Sequence, residues 1–62
     1  MWLARDEDGL LNLFYDEEPT RKLYERVVVW DSPEGGIPID RDKYKEVTFT
    51  NSPVKVELVP QL

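Results

Sequence analysis

The segment Trp2-Leu-Ala-Arg5, Asp6-Glu-Asp-Gly9, Leu10-Leu-Asn-Leu-Phe-Tyr15 constrains this chain more than any other. Two apolar runs flank an acidic turn ending in Asp-Gly, and that dipeptide between such runs is among the strongest local signals for a β-hairpin. Gly9 reaches positive φ without a Cβ penalty, and the Asp8 carboxylate is placed to bond nearby backbone. The opening of the chain therefore commits it to antiparallel β structure.

Composition narrows what such a hairpin can belong to. At 62 residues the chain is expected to be one small β domain, residues 1–62, and a chain this short buries only about 60 % of its unfolded surface. Its 40 % hydrophobic content, with two Trp, three Tyr and two Phe, is too rich for a disordered tail. The absence of Cys and His excludes disulfides, thiolate zinc sites and imidazole ligands, and no cofactor is expected. No run approaches the roughly 18 apolar residues of a membrane helix, and residues 1–5 lack the basic-then-apolar order of a leader. A soluble cytoplasmic protein with no membrane contact is the expectation. Thirteen acidic residues against eight basic give a net charge of −5. That field repels phosphate backbones, so direct nucleic-acid binding is not expected.

Along the chain the pattern has period two. Leu11, Leu13 and Tyr15 fall on one face of the second run and Leu10, Asn12 and Phe14 on the other, so this strand is apolar on both sides and reads as central. Pro19 removes a ladder donor, and residues Thr20 to Tyr24 read as a loop or at most one helical turn. A third strand is expected from Glu25 to Trp30, where Val27-Val-Val-Trp30 suits a pleated sheet. Asp31-Ser-Pro-Glu-Gly-Gly36 is a turn, and Ile37-Pro-Ile39 a short strand whose Pro38 belongs at an edge. Asp40 to Lys45 reads as one short helical turn with Asp40 as its cap. Val47 and Phe49 alternate with Thr48 and Thr50, Asn51-Ser-Pro53 interrupts, and Val54, Val56 and Leu58 form the inner face of a last strand.

The predicted fold is mainly all-β: a small twisted antiparallel meander or half-open barrel of five or six short strands, with one helical turn near residues 40–45. Its core is expected to gather Trp2, Leu11, Leu13, Val27, Val29, Ile37, Ile39, Val47, Phe49, Val54, Val56 and Leu58. A two-layer sheet completed by a second copy of the chain is the alternative.

No constellation points to catalysis. Asp6-Glu-Asp8 and Asp16-Glu-Glu18 lie at opposite ends of one strand, about 20 Å apart at roughly 3.3 Å per residue, too far for a glycosidase pair. A calcium loop with Gly9 at its sixth position would put Ala4 first and Tyr15 twelfth, where carboxylates are required. Gly35-Gly36 precedes no helix and no Lys-Ser or Lys-Thr, so it is not a phosphate loop. A capped turn accounts for Asp40 and Asp42. Ser32 and Ser52 have no His to activate them, and none of Lys22, Lys43, Lys45 and Lys55 lies in an apolar run that would depress its pKa. No catalytic residue and no metal ligand is assigned, and the chain is not expected to be an enzyme.

Binding is the more natural reading. Trp2, Phe14, Tyr15, Trp30, Tyr24 and Tyr44 are more aromatic surface than a core this small hides, and interfaces favour aromatics. Trp2, Phe14, Tyr15 and Trp30 are the candidate partner-binding residues, with Trp30 and one of Phe14 or Tyr15 also the strongest candidates for core. A strand apolar on both faces, in a chain with one core layer, needs a partner on one of them. The expected partner is another protein or a second copy. The alternative is an acidic decoy that imitates nucleic-acid phosphates with Asp6, Glu7, Asp8, Asp31 and Glu34 and blocks a DNA- or RNA-handling enzyme. Arg5, Arg21, Lys22, Arg26 and Arg41 dilute that field.

The order Trp-Leu-Ala-Arg-Asp-x-Asp-Gly-x-Leu-x-Leu-Phe at residues 2–14, with Pro19 and Arg21, Val29-Trp30, Gly36-Ile-x-Ile39, Glu46-Val-Thr-Phe49 and Asn51-Ser-Pro53, resembles a group of short uncharacterised proteins encoded in bacterial genomes, phages and other mobile elements. The similarity covers nearly the whole chain but rests on strand and turn residues. It carries over no functional residue. It implies an accessory that binds a host or phage protein.

Overall fold

The structure is a computed structural model that describes residues 1–57. Six strands follow one another: β1 (Trp2–Arg5), β2 (Leu11–Phe14), β3 (Thr20–Tyr24), β4 (Val27–Asp31), β5 (Ile37–Ile39) and β6 (Val54–Lys55). They form two antiparallel sheets, one of four strands in the order β5-β2-β1-β6 and one of two strands, β3-β4. The described residues are all-β, without helix and without a closed barrel.

The β1–β2 hairpin forms as its turn chemistry predicts. Gly9 sits at φ 95°, its N–H donates to the Asp6 carbonyl at 2.9 Å, and the Asp6 N–H donates to the Leu10 carbonyl at 2.8 Å. This is a tight turn closed by a left-handed residue, the usual three-residue hairpin connection. The Leu10 N–H reaches the Asp8 carboxylate two residues back at 3.3 Å. β2 is central, and β5, with Pro38, forms an edge where its missing donor costs no ladder bond.

Register explains how a sheet this small is covered on both faces. Leu3 stands opposite Leu13 and Val54, and Leu11 opposite Ile39, so these side chains share one face. Val47 is buried against them, with Val56 alongside. The other face presents Trp2, Ala4 and Phe14, and it is covered by Trp30 from β4 and by Phe49. The two apolar faces of β2 are therefore both filled from within the chain, and neither demands the partner expected from one core layer.

Four departures have local causes. Thr20–Tyr24 is a strand, not a loop, because Glu25 and Arg26 make a two-residue turn with φ of 45° and 71°. Such turns normally announce themselves with Asn or Gly, and here neither is present. Residues 40–45 hold hydrogen-bonded turns rather than a helical segment: Asp40 accepts from the Lys43 N–H through its carbonyl at 3.0 Å and from the Asp42 N–H through its carboxylate at 2.9 Å. Val47–Thr50 does not join a sheet, since Thr48 N–H donates to Asn51 Oδ1 at 2.7 Å and Asn51 N–H to Thr48 Oγ1 at 3.2 Å. Those side-chain bonds replace a ladder. The last strand is limited to Val54–Lys55, and the Leu58 assigned to it lies outside the described residues.

The core differs in membership for the same reason. Leu3, Ala4, Phe14 and Trp30 join Leu11 and Val47 as its buried members, while Ile37 is exposed and Val27 and Val29 are half-buried.

Candidate functional site

The β3–β4 hairpin is held at its base and free at its tip. At the base Trp30 is buried against Ala4 and Phe14, and its ring tilts by 55° against Phe49 with centroids 6.4 Å apart. The Arg21 guanidinium lies 5.3 Å from each of these two ring centroids. A cation over aromatic faces contributes on the order of 0.5–1 kcal/mol at an exposed site.

One edge of this hairpin is closed by the acidic turn of the other. The Trp30 N–H donates to Asp6 Oδ1 at 2.8 Å, the Val28 N–H to Glu7 Oε1 at 3.2 Å, and the Glu7 N–H to the Val28 carbonyl at 3.0 Å. Asp6 is buried, at 6 % exposure. Burial pushes its carboxyl above the ordinary aspartate value, an effect the Trp30 N–H opposes and the Asp8 charge reinforces. Asp6 and Glu7, which the sequence offered as solvated turn acids, are thus structural acceptors for β4.

Arg5 makes the matching connection on the opposite face of the large sheet. Its Nε donates to the Val47 carbonyl at 2.6 Å, Nη1 to the carbonyls of Gly9 at 2.8 Å and Arg41 at 3.1 Å, and Nη2 to those of Lys43 and Tyr44 at 3.1 Å each. All five guanidinium N–H groups are used on backbone oxygens. The residues from Arg41 to Val47 wrap around one side chain.

At the free end, Leu23 is 72 % exposed and Tyr24 58 % exposed, beside the Glu25-Arg26 turn. Every residue of β3 is exposed. The stretch 20–31 holds Arg21, Lys22 and Arg26 against Glu25 and Asp31, a net +1 in a chain of net −5 whose remaining residues sum to −6. Lys22 and Asp31 form an ion pair at 3.8 Å across the two strands, a surface pair of the kind worth less than about 1 kcal/mol.

The four aromatic candidates separate. Phe14 and Trp30, at 2 % and 8 % exposure, are core residues and offer no surface to a partner. Trp2 is half-buried, with the Lys55 ammonium 6.0 Å from its ring centroid. Tyr15, at 48 % exposure, is the one clearly on the surface. Sequence reasoning passed over Leu23, and counted Tyr24 as surplus aromatic surface without making it a candidate, because residues 20–24 read as a loop. The available signal was two β-compatible pairs, Leu23-Tyr24 and Val27-Val28, separated by two residues.

A concavity of about 240 Å³ opens on the large sheet between Leu3, Leu13, Ile39 and Val56, with Met1, Tyr44 and Glu57 also lining it. It brings together no nucleophile and base. Among the described residues no group of three or more His, Cys, Asp or Glu is placed to hold a metal ion, and no helix is long and apolar enough to cross a membrane. Glu34 is raised by desolvation and by the Asp16 and Glu17 carboxylates, which draws those two turns into one acidic patch. No family model, no curated protein and no solved structure matches this chain.

Proposed function

We propose that this protein is a small, acidic, non-catalytic interaction module of the cytoplasm that docks another protein through the β3–β4 hairpin. One observation carries the reading: the tip leaves two large apolar side chains in solvent at consecutive positions, Leu23 and Tyr24, one on each face of β3, while Leu3, Leu11, Phe14 and Trp30 are buried. Covering two such side chains is worth on the order of 1.5–3 kcal/mol each. That is the scale of an anchoring pair at the centre of a protein interface. Glu25 and Arg26 strengthen the reading, because both hold a backbone conformation that glycine or asparagine would adopt at lower cost. Backbone strain held at an exposed tip supports a role for the segment that carries it. An accessory that binds a host or phage protein, as the resemblance implies, fits a module of this kind.

The decoy reading draws less support. Of its five carboxylates, Asp6 and Glu7 face β4 as acceptors and Asp31 pairs with Lys22. The Asp16, Glu17 and Glu34 patch remains, but one patch is not a spaced row of phosphate mimics.

The test compares capture of partners from a lysate by the native chain and by the Leu23→Ser/Tyr24→Ser variant. Both side chains are exposed, so the variant is expected to unfold at the same urea concentration as the native chain and to lose the captured protein. Retention of the same protein by a folded variant would contradict the reading. Release of a nucleic-acid enzyme early in a salt gradient would favour the decoy.

A further inference from the structure

Resting on that reading, we infer that the free edge of β3 takes up an extended segment of the partner as an added antiparallel strand, and that this segment sets two successive carboxylates beside Arg21 and Lys22 and two successive apolar residues beside Leu23 and Tyr24.

The backbone phase on β4 supplies the geometry. Val28 and Trp30 direct their main-chain groups away from β3, toward Glu7 and Asp6. In the β3–β4 register Val28 stands opposite Leu23 and Trp30 opposite Arg21. Opposed residues in an antiparallel ladder point their N–H and C=O groups the same way relative to the pair, both inward or both outward. Leu23 and Arg21 therefore turn theirs outward, along an edge that has no neighbouring strand among the described residues. The other edges are poorer templates: β5 carries Pro38, and β6 is two residues long.

Charge and side-chain order select the occupant. Arg21 and Lys22 are consecutive on the free edge strand, in a net-positive stretch of an acidic chain, and Leu23 and Tyr24 follow at once. A second copy paired antiparallel about Lys22 would set that ammonium against its own equivalent, and like charges directly opposite are destabilising; paired about Leu23 it avoids that clash but leaves Lys22 opposite Tyr24 rather than a carboxylate. A segment running apolar, apolar, acidic, acidic meets Tyr24, Leu23, Lys22 and Arg21 in turn. Main-chain bonds give such an added strand its affinity, and the alternate side chains give it selectivity.

The test is an amide-resolved NMR titration of the full chain with the peptide acetyl-Thr-Val-Ile-Glu-Glu-Thr-amide and with its counterpart carrying Lys-Lys for Glu-Glu. The acidic peptide is expected to shift the Arg21 and Leu23 amides first, to slow their hydrogen exchange at least fivefold, and to half-saturate at a concentration at least tenfold below that of the lysine peptide. Lys22→Glu is expected to abolish that preference. Three results would overturn the inference: no shift at Arg21 and Leu23, equal binding of both peptides, or concentration-dependent shifts of these amides without peptide, which would assign the edge to a second copy. Loss of capture by the Leu23→Ser/Tyr24→Ser variant together with any of these would remove strand addition and leave the hairpin tip as the docking element.

Discussion

Replacing Arg5 by Met removes every bond of the guanidinium while keeping most of its apolar stem. Five N–H···O contacts of 2.6–3.1 Å join this one side chain to the carbonyls of Gly9, Arg41, Lys43, Tyr44 and Val47. Three of the five lie in exposed surroundings, to Arg41, Lys43 and Tyr44, and two in partly buried ones. A hydrogen bond contributes about 0.5–1.5 kcal/mol net, so taking the lower end for the exposed contacts and about 1 for the others gives a loss of about 3.5 kcal/mol. A chain of this size rarely holds more than about 3–5 kcal/mol in all. Arg5→Met is therefore expected to bring the protein close to the midpoint of unfolding in plain buffer. Arg5→Lys keeps the charge but has three donors in place of five, without the planar fork, and is expected to cost about half as much. The assay is urea unfolding at neutral pH followed by tryptophan fluorescence, which reads Trp30 in the core, with amide exchange at Val47 as a local probe. A Met variant within about 0.5 kcal/mol of the native chain would refute the reasoning, since that is the scale of an ordinary surface change.

Two further predictions concern the Asp6–Trp30 bond and the Glu25-Arg26 turn. The folded Asp6 carboxyl keeps its proton to higher pH than the unfolded one, so its ionisation weakens folding as pH rises above the ordinary aspartate value of 3.8. Asp6→Asn retains an acceptor for the Trp30 N–H and should flatten this part of the stability–pH curve in urea titrations, whereas Asp6→Ala should cost about 1–3 kcal/mol by orphaning that N–H; parallel curves for the native and Asn chains would contradict the assignment. Glu25→Asn with Arg26→Gly relieves two left-handed residues and should raise the urea midpoint by the equivalent of about 1–2 kcal/mol, while weakening partner capture if these side chains are read by the partner. An unchanged or lowered midpoint would show that the turn is not strained.

What could be read in advance was what is local. The β1–β2 hairpin follows from Asp8-Gly9 between two apolar runs, the central place of β2 from its two apolar faces, and the edge position of β5 from Pro38. β3 escaped notice because its turn is built from Glu25 and Arg26, residues that favour no left-handed conformation, and the loss of β3 hid Leu23 and the place of Tyr24 beside it in the chain. Period-two patterning states which residues share a face but not which face is covered. Size and pattern favour Trp30 and one of Phe14 or Tyr15 as core without choosing between the last two; Trp30 lying on the sheet covers the Phe14 face and leaves Tyr15 exposed. Arg5 gave no signal at all, since its guanidinium bonds reach as far as 42 positions along the chain, to the Val47 carbonyl. A charged residue that serves backbone oxygens is indistinguishable in sequence from one facing water.

The account turns on the β3–β4 hairpin as the docking element, and amide hydrogen exchange of the chain alone and in complex with its captured partner tests this most directly. Slowed exchange confined to β3, greatest at the outward Arg21 and Leu23 amides, is the predicted result. Unchanged exchange along β3, with new protection around Tyr15 or elsewhere on the large sheet, would contradict it.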